Sequence, residues 1–179
     1  PQNSIGCNFN EVVFTDTVLA NILPKLDFCF VESLHVTAEK NGHIAPILAQ
    51  DQTISAGGIQ KIELRDCAVT VLLKLEVQEG SVLEELVLAG WTKEHVAPIL
   101  AQEQNTCIER IQKIELISCA VAVLPKLEVQ ESSVLEELIL APTHMENIAE
   151  ILSVEDESIN VWDVKVVIHG RHRREVRKN

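Results

Sequence analysis

The chain repeats itself at a fixed interval of 52 residues. His43–Gln50 reads HIAPILAQ and returns as HVAPILAQ at His95–Gln102. IQKIEL at Ile59–Leu64 returns at Ile111–Leu116, and KLEVQE at Lys74–Glu79 returns at Lys126–Glu131. SVLEELVLA at Ser81–Ala89 returns as SVLEELILA at Ser133–Ala141. No gap breaks the register, and roughly two thirds of the aligned positions are identical. Such self-similarity predicts an array of stacked units, each too thin to hold a core alone and each burying its apolar face against the next.

Each long unit contains two shorter ones. Ile59, Ile62, Leu64 and Cys67 fit the pattern L-x-x-L-x-L-x-x-N/C. Leu83, Leu86 and Leu88 fit it with Trp91 in the last place; Ile111, Ile114, Leu116 and Cys119 repeat the first, and Leu135, Leu138, Leu140 and Thr143 the second. The spacing alternates between 24 and 28 residues. Val31, Leu34 and Val36 lie one step earlier, with weaker versions at Phe9, Val12, Phe14 and at Val161, Val164, Val166. The chain thus carries about seven units with degenerate ends.

These motifs resemble the leucine-rich-repeat family over nearly the whole chain, and the alternating lengths look like its ribonuclease-inhibitor-like class. The resemblance implies an α/β solenoid: a curved arc with parallel strands on the concave face and helices on the convex face. It would span residues 1–168, followed by a basic tail at 169–179. The sequence is also similar to the repeat region of NOD-like receptors, although that family's nucleotide-binding part is absent from these residues.

Local chemistry points the same way. Apolar residues two apart face one side of a short strand, so Ile62 and Leu64 are expected inside and Lys61, Glu63 and Arg65 outside. Val96, Ile99 and Leu100 share one helical face, as do Ile148, Ile151 and Leu152. Pro98 is cheap only in a first turn, which favours a helix start near His95. Thr92 is the better capping type, and that boundary stays open. The shorter units, such as Val69 to Gln78, mix both periods and predict an irregular convex segment. An all-helical array of the HEAT or armadillo type has a similar period, but the Ile-Glu-Leu and Leu-Val-Leu triplets and the half-unit symmetry argue against it.

The core must come from aliphatic residues, because aromatics make up 3% and tyrosine is absent. A net charge of −12 opposes nucleic-acid binding by the body of the chain. The segment from His169 to Asn179, HGRHRREVRKN, is the basic exception and reads as a solvated end. Five cysteines without a CxxC pair suggest reduced thiols in a cytoplasmic protein. No apolar run is long enough for a membrane span, and no signal peptide is visible. Pro1 stands where an initiator Met would, so a processed form or a piece of a longer chain is expected.

Candidate chemistry is sparse. Cys67 and Cys119 hold the family's interior ladder position, while Cys7, Cys29 and Cys107 have no ligand partners at useful spacing. His43 and His95 are copies of each other, placed two units apart, too far for one zinc ion to bridge. His169 and His172 belong to the basic tail. Glu84-Glu85 and Glu136-Glu137 are repeat copies on a solvent-facing strand rather than a convergent acid–base pair. Neither a phosphate loop, a dinucleotide fingerprint nor a nucleophile elbow is present, and Gly57-Gly58 reads as a turn. The expectation is therefore no catalytic residues, no cofactor, no metal and no enzyme.

What remains is a binding surface. The outward strand positions form columns: Glu32, Gln60, Glu84, Gln112, Glu136; then Ser33, Lys61, Glu85, Lys113, Glu137; then His35, Glu63, Val87, Glu115, Ile139. The expected contact residues are Lys61, Glu63, Glu85, Val87, Lys113, Glu115, Glu137 and Ile139. The face reads as mixed but mostly acidic, with apolar stripes at Val87 and Ile139 and at Trp162 near the end. That suits a basic protein partner held by a few apolar anchors, with no membrane involved. The expected function is recognition of that partner, as the sensor part of a larger cytosolic receptor. The alternative is a stand-alone adaptor or inhibitor, of F-box or ribonuclease-inhibitor type. A GTPase-activating variant would need a catalytic Arg or Asn loop that is not recognisable here. The oligomeric state is left open.

Overall fold

The computed structural model describes residues 5–6, 9–28, 31–77, 81–108, 110–129, 135–144, 146–148 and 165–169. Its strands are β1 (Ile5–Gly6), β2 (Glu11–Thr15), β3 (Leu26–Asp27), β4 (Ser33–Ala38), β5 (Ile54–Ser55), β6 (Lys61–Asp66) and β7 (Leu75–Glu76). There follow β8 (Leu83–Gly90), β9 (Thr106–Ile108), β10 (Ile111–Ser118), β11 (Leu127–Val129), β12 (Glu137–Ala141) and β13 (Lys165–Ile168). Among the described residues, α1 (Asn41–Leu48) and α2 (Lys93–Leu100) alternate with the 3₁₀ segments Val18–Lys25, Cys67–Lys74 and Cys119–Lys126.

The result is a mixed α/β chain built on one seven-stranded parallel sheet, in the order β2-β4-β6-β8-β10-β12-β13. Among the described strands, each pairs with the next sheet strand in the sequence. Parallel neighbours need a long return connection, and here it alternates between 3₁₀ and α. Helix α1 lies between the first and second 3₁₀ segments, and α2 between the second and third. Three two-stranded parallel ladders, β1 with β3, β5 with β7 and β9 with β11, tie the returns of successive units together.

The alternation follows from unit length. The 3₁₀ run Cys67–Lys74 and helix α2 are both 8 residues long, but a 3₁₀ segment rises about 2.0 Å per residue against about 1.5 Å in an α-helix, so the shorter unit spans more of its return with the same number of residues. The irregular segment expected near Val69 is this 3₁₀ run, buried along Cys67–Leu72. It is entered sharply: Asp66 and Ser118, in equivalent places, adopt φ of 57° and 58°.

The inward strand residues form aliphatic rows. Leu34, Ile62, Leu86, Ile114 and Leu138 make one row and Val36, Leu64, Leu88 and Leu116 the next, all buried. Ile44, Ile47, Val96 and Ile99 close the layer from the helices, and Phe28 is the largest fully buried side chain among the described residues. Val96 and Ile99 are buried as the helical spacing predicts, and Leu100 packs partly against them.

The open helix boundary resolves in favour of Thr92. Helix α2 begins at Lys93, with Thr92 extended at φ −127° and ψ 160°, not near His95. Glu94 accepts from its own backbone N–H and from the Thr92 hydroxyl, which holds its carboxyl below the usual carboxylate range and anchors the first turn. Pro98 is thereby left inside the helix, denying a partner only to the Glu94 carbonyl at an exposed position. Glu146–Ile148 begin a helical turn as expected, whereas Ile151 and Leu152 lie outside the described residues. The same is true of Val161, Trp162, Val164, Cys7, Cys29, His172 and the tail at 170–179.

Candidate functional site

The outward face of the sheet gathers the residues that the sequence singles out. Strand register aligns them straight across in three rows. The first runs Glu11, Ser33, Lys61, Glu85, Lys113, Glu137, Lys165. The second runs Val13, His35, Glu63, Val87, Glu115, Ile139, Val167. The third, one alternate position further on, runs Thr15, Thr37, Arg65, Ala89, Ile117, Ala141. Outward residues alternate with the buried aliphatic rows because strand side chains point to opposite faces in turn.

From Lys61 onward the first row is a ladder of alternating charge, with uncharged Ser33 between it and Glu11. Glu85 receives Lys61 at 2.6 Å on one oxygen and Lys113 at 2.6 Å on the other. Lys113 also lies 4.0 Å from Glu137, whose other oxygen takes Lys165 at 2.5 Å. Burial pushes the Glu85 carboxyl up, but the two lysines outweigh it and its pKa lies below the ordinary value. Glu137 is likewise lowered, chiefly by its hydrogen bond from Lys165. Lys113 is raised by the hydrogen bond to Glu85, against the opposing effect of burial.

A second network centres on Glu63. Its Oε1 accepts from Arg65 Nε at 2.5 Å and pairs with Arg65 Nη2, while its Oε2 lies 2.8 Å from His35 Nδ1. The far side of the His35 ring reaches Glu11 at 3.3 Å. Burial raises the Glu63 carboxyl, and Arg65 and then His35 pull it down further than burial lifts it.

These pairings change the electrical reading of the face. The face is mixed, with carboxylates in excess, as expected, but Glu11, Glu63, Glu85, Glu115 and Glu137 are set against Lys61, Arg65, Lys113 and Lys165, and most are joined in pairs. Acidic character survives along the strand entrances, where Glu32, Glu84 and Glu136 are exposed. Val87 is a correction. It sits in the outward row as read, but Glu63 and Glu115 flank it across the strands and it is only 6% exposed. It forms the floor of the face rather than an accessible stripe.

Sequence reasoning placed Arg65 outward but otherwise stopped at the leucine motif and missed the rest of the third row. Ile117 and Ala141 lie beside Ile139 and Val167, all half-buried, and make an apolar patch across β10, β12 and β13 with Val87 and Ala89 as its floor. Continuing the period-two alternation one step past Leu116 would have found Ile117.

The interior row carries the cysteines. Cys67 Sγ donates to the Glu39 carbonyl and Cys119 Sγ to the Trp91 carbonyl, each at 3.6 Å. Burial, followed by the charges of Asp66 and Asp16, pushes the Cys67 thiol up, away from the thiolate form a nucleophile needs. His43 and His95 face Asp16 and Asp66 at 3.7 and 3.5 Å, the same arrangement in each copy. Among the described residues no three His, Cys, Asp or Glu side chains are grouped to hold a metal ion. No described helix is long and apolar enough to cross a membrane.

No protein-family model matches the chain, and neither a curated protein nor a solved structure is similar to it at a significant level.

Proposed function

We propose that the chain is a leucine-rich-repeat-type solenoid that binds a protein partner through the outward face of its sheet, as the sensor part of a larger receptor. The observation that carries this reading is the apolar patch of Ile117, Ile139, Ala141 and Val167, set beside a self-neutralised ladder of charge. Ladder residues fixed in mutual ion pairs give orientation more than affinity, whereas apolar side chains on a rigid face supply the anchor. The exposed row of Glu32, Glu84 and Glu136 adds a contact line for basic groups of the partner at the rim. With a buried thiol held protonated and histidines repeated along the stack, the chemistry favours binding over catalysis.

The test is capture of partners from a cytosolic extract by the intact chain and by the variant Ile117→Arg/Ile139→Arg. A control, Ala97→Arg, alters an exposed position of α2. We expect the face variant to lose a partner that the intact chain and the control both retain, with unchanged circular dichroism. A partner held equally by all three would move recognition to the helical side and contradict the proposal.

A further inference from the structure

Glu63 and Glu115 are the same residue in the two copies, 52 positions apart, and both stand in the middle outward row. Their surroundings differ. Glu63 has His35 opposite it on β4, Arg65 two residues further along its own strand, and Thr37 opposite Arg65. Around Glu115 the same three places hold Val87, Ile117 and Ala89. The second copy keeps the carboxylate and replaces these three polar neighbours with apolar ones. Glu63 is satisfied within the chain, by Arg65 Nε at 2.5 Å and His35 Nδ1 at 2.8 Å. Among the described residues Glu115 has neither a hydrogen bond nor an ion pair. The cation of its own strand, Lys113, is held 2.6 Å from Glu85 and lies 4.0 Å from Glu137. Glu115 is half-buried in the interior of the sheet, with described strands on both sides of β10. A carboxylate partly stripped of water among aliphatic side chains gains more from an added donor than one at an open surface.

From this pair of copies we infer that Glu115 receives an arginine side chain of the protein partner, seated where Arg65 stands in the first copy. The inference rests on the binding face proposed above and names the group that this face takes. Arg65 shows the geometry. It reaches Glu63 from two residues further along the strand, on the same side of the sheet. In the second copy that place lies over Ile117, flanked in its row by the small side chains of Ala89 and Ala141. An incoming arginine can lay its methylene stem on Ile117 and Ile139 and turn its guanidinium to Glu115. The planar fork of N–H groups matches a carboxylate with both oxygens unclaimed, which the point charge of a lysine does less well. The other carboxylates of these rows do not compete for it: Glu11, Glu63, Glu85 and Glu137 are each paired within the chain.

The probe is a library of random heptapeptides displayed on phage and selected on the immobilised full chain. Retained peptides should share an arginine at one fixed position. Synthetic copies should bind about tenfold more weakly when citrulline, which keeps the shape and loses the charge, replaces that arginine. Lysine in its place should recover only part of the loss. Glu115→Gln should weaken the parent peptides about tenfold and make binding indifferent to the citrulline change, the signature of a direct pair. Glu115→Arg should in turn bind peptides that carry glutamate in place of the arginine. Glu103→Gln, at an exposed position beyond α2, should bind as the parent does, and circular dichroism should show each variant folded. Retained peptides without a shared arginine, or peptides lost to Ile139→Arg but held equally by Glu115→Gln, would overturn this inference and leave the binding face standing. Peptides indifferent to both changes, or a selection that yields none, would overturn both readings.

Discussion

Arg110 adopts φ of 52°, in the left-handed region where a Cβ crowds the following carbonyl. The aligned residue of the first copy, 52 positions earlier, is Gly58, for which that conformation carries no steric cost. The Arg110 carbonyl accepts the Leu83 N–H at 3.0 Å, a bond that glycine would keep. Arg110→Gly should therefore stabilise the chain by about 0.5 kcal/mol, the steric relief exceeding glycine's entropic cost. Urea unfolding reads this directly; a loss of stability would mean that the arginine side chain contributes more than its backbone costs. Asp66 and Ser118 are different, because their positive φ coincides with polar contacts. Ser118 Oγ lies 2.7 Å from Thr143 Oγ1, and Asp66 faces His95.

The charge ladder belongs to the strands rather than to any single residue, and it has a characteristic pH dependence. Glu63, Glu85 and Glu137 all have pKa values below 4.5 in the folded chain. Their contribution is complete above about pH 4.5 and is lost as pH falls through the lowered values. Lys113 works in the opposite sense: its pKa is raised above 10.5, so its contribution holds below that value and is lost as pH climbs through the raised one. Glu85→Gln should cost about 1 kcal/mol at neutral pH, since it removes the carboxylate charge shared by Lys61 and Lys113. Denaturation measured at a series of pH values should also show a shallower acid limb for this variant. An acid limb as steep as the parent's would exclude Glu85 from the titration.

At the scale of the molecule, the sequence made the sheet rows legible because each is a direct consequence of a fixed period. Ile62, Leu64, Ile114 and Leu116 had to share a face, and Lys61, Glu85, Lys113 and Glu137 had to align. What the period could not show was how neighbours in a row act on one another. Val87 looked accessible because the sequence of its strand alternates, but it lies between Glu63 and Glu115 in its row and is only 6% exposed. Glu63, Glu85 and Glu137 looked like free acidic charge because their partners come from adjacent strands, or in Arg65 from two residues along the same one. The 3₁₀ segments were foreseen only as irregular, since residues buried on every side, such as Ala68, Val69 and Val71, leave no helical stripe to read.

In the proposed solenoid, units stack in a line, each stabilised mainly by its two neighbours. Deleting residues 59–110 removes one whole period and joins Gly58 to Ile111, a junction equivalent in sequence to the native ones on either side. Equilibrium unfolding of this shortened chain in urea is the direct measurement. A linear stack predicts a folded protein that unfolds cooperatively, with an m-value lower by roughly a quarter to a third in proportion to the surface removed. A deletion chain without native circular dichroism or a cooperative transition would mean that the core is shared across the whole sheet, contradicting the account.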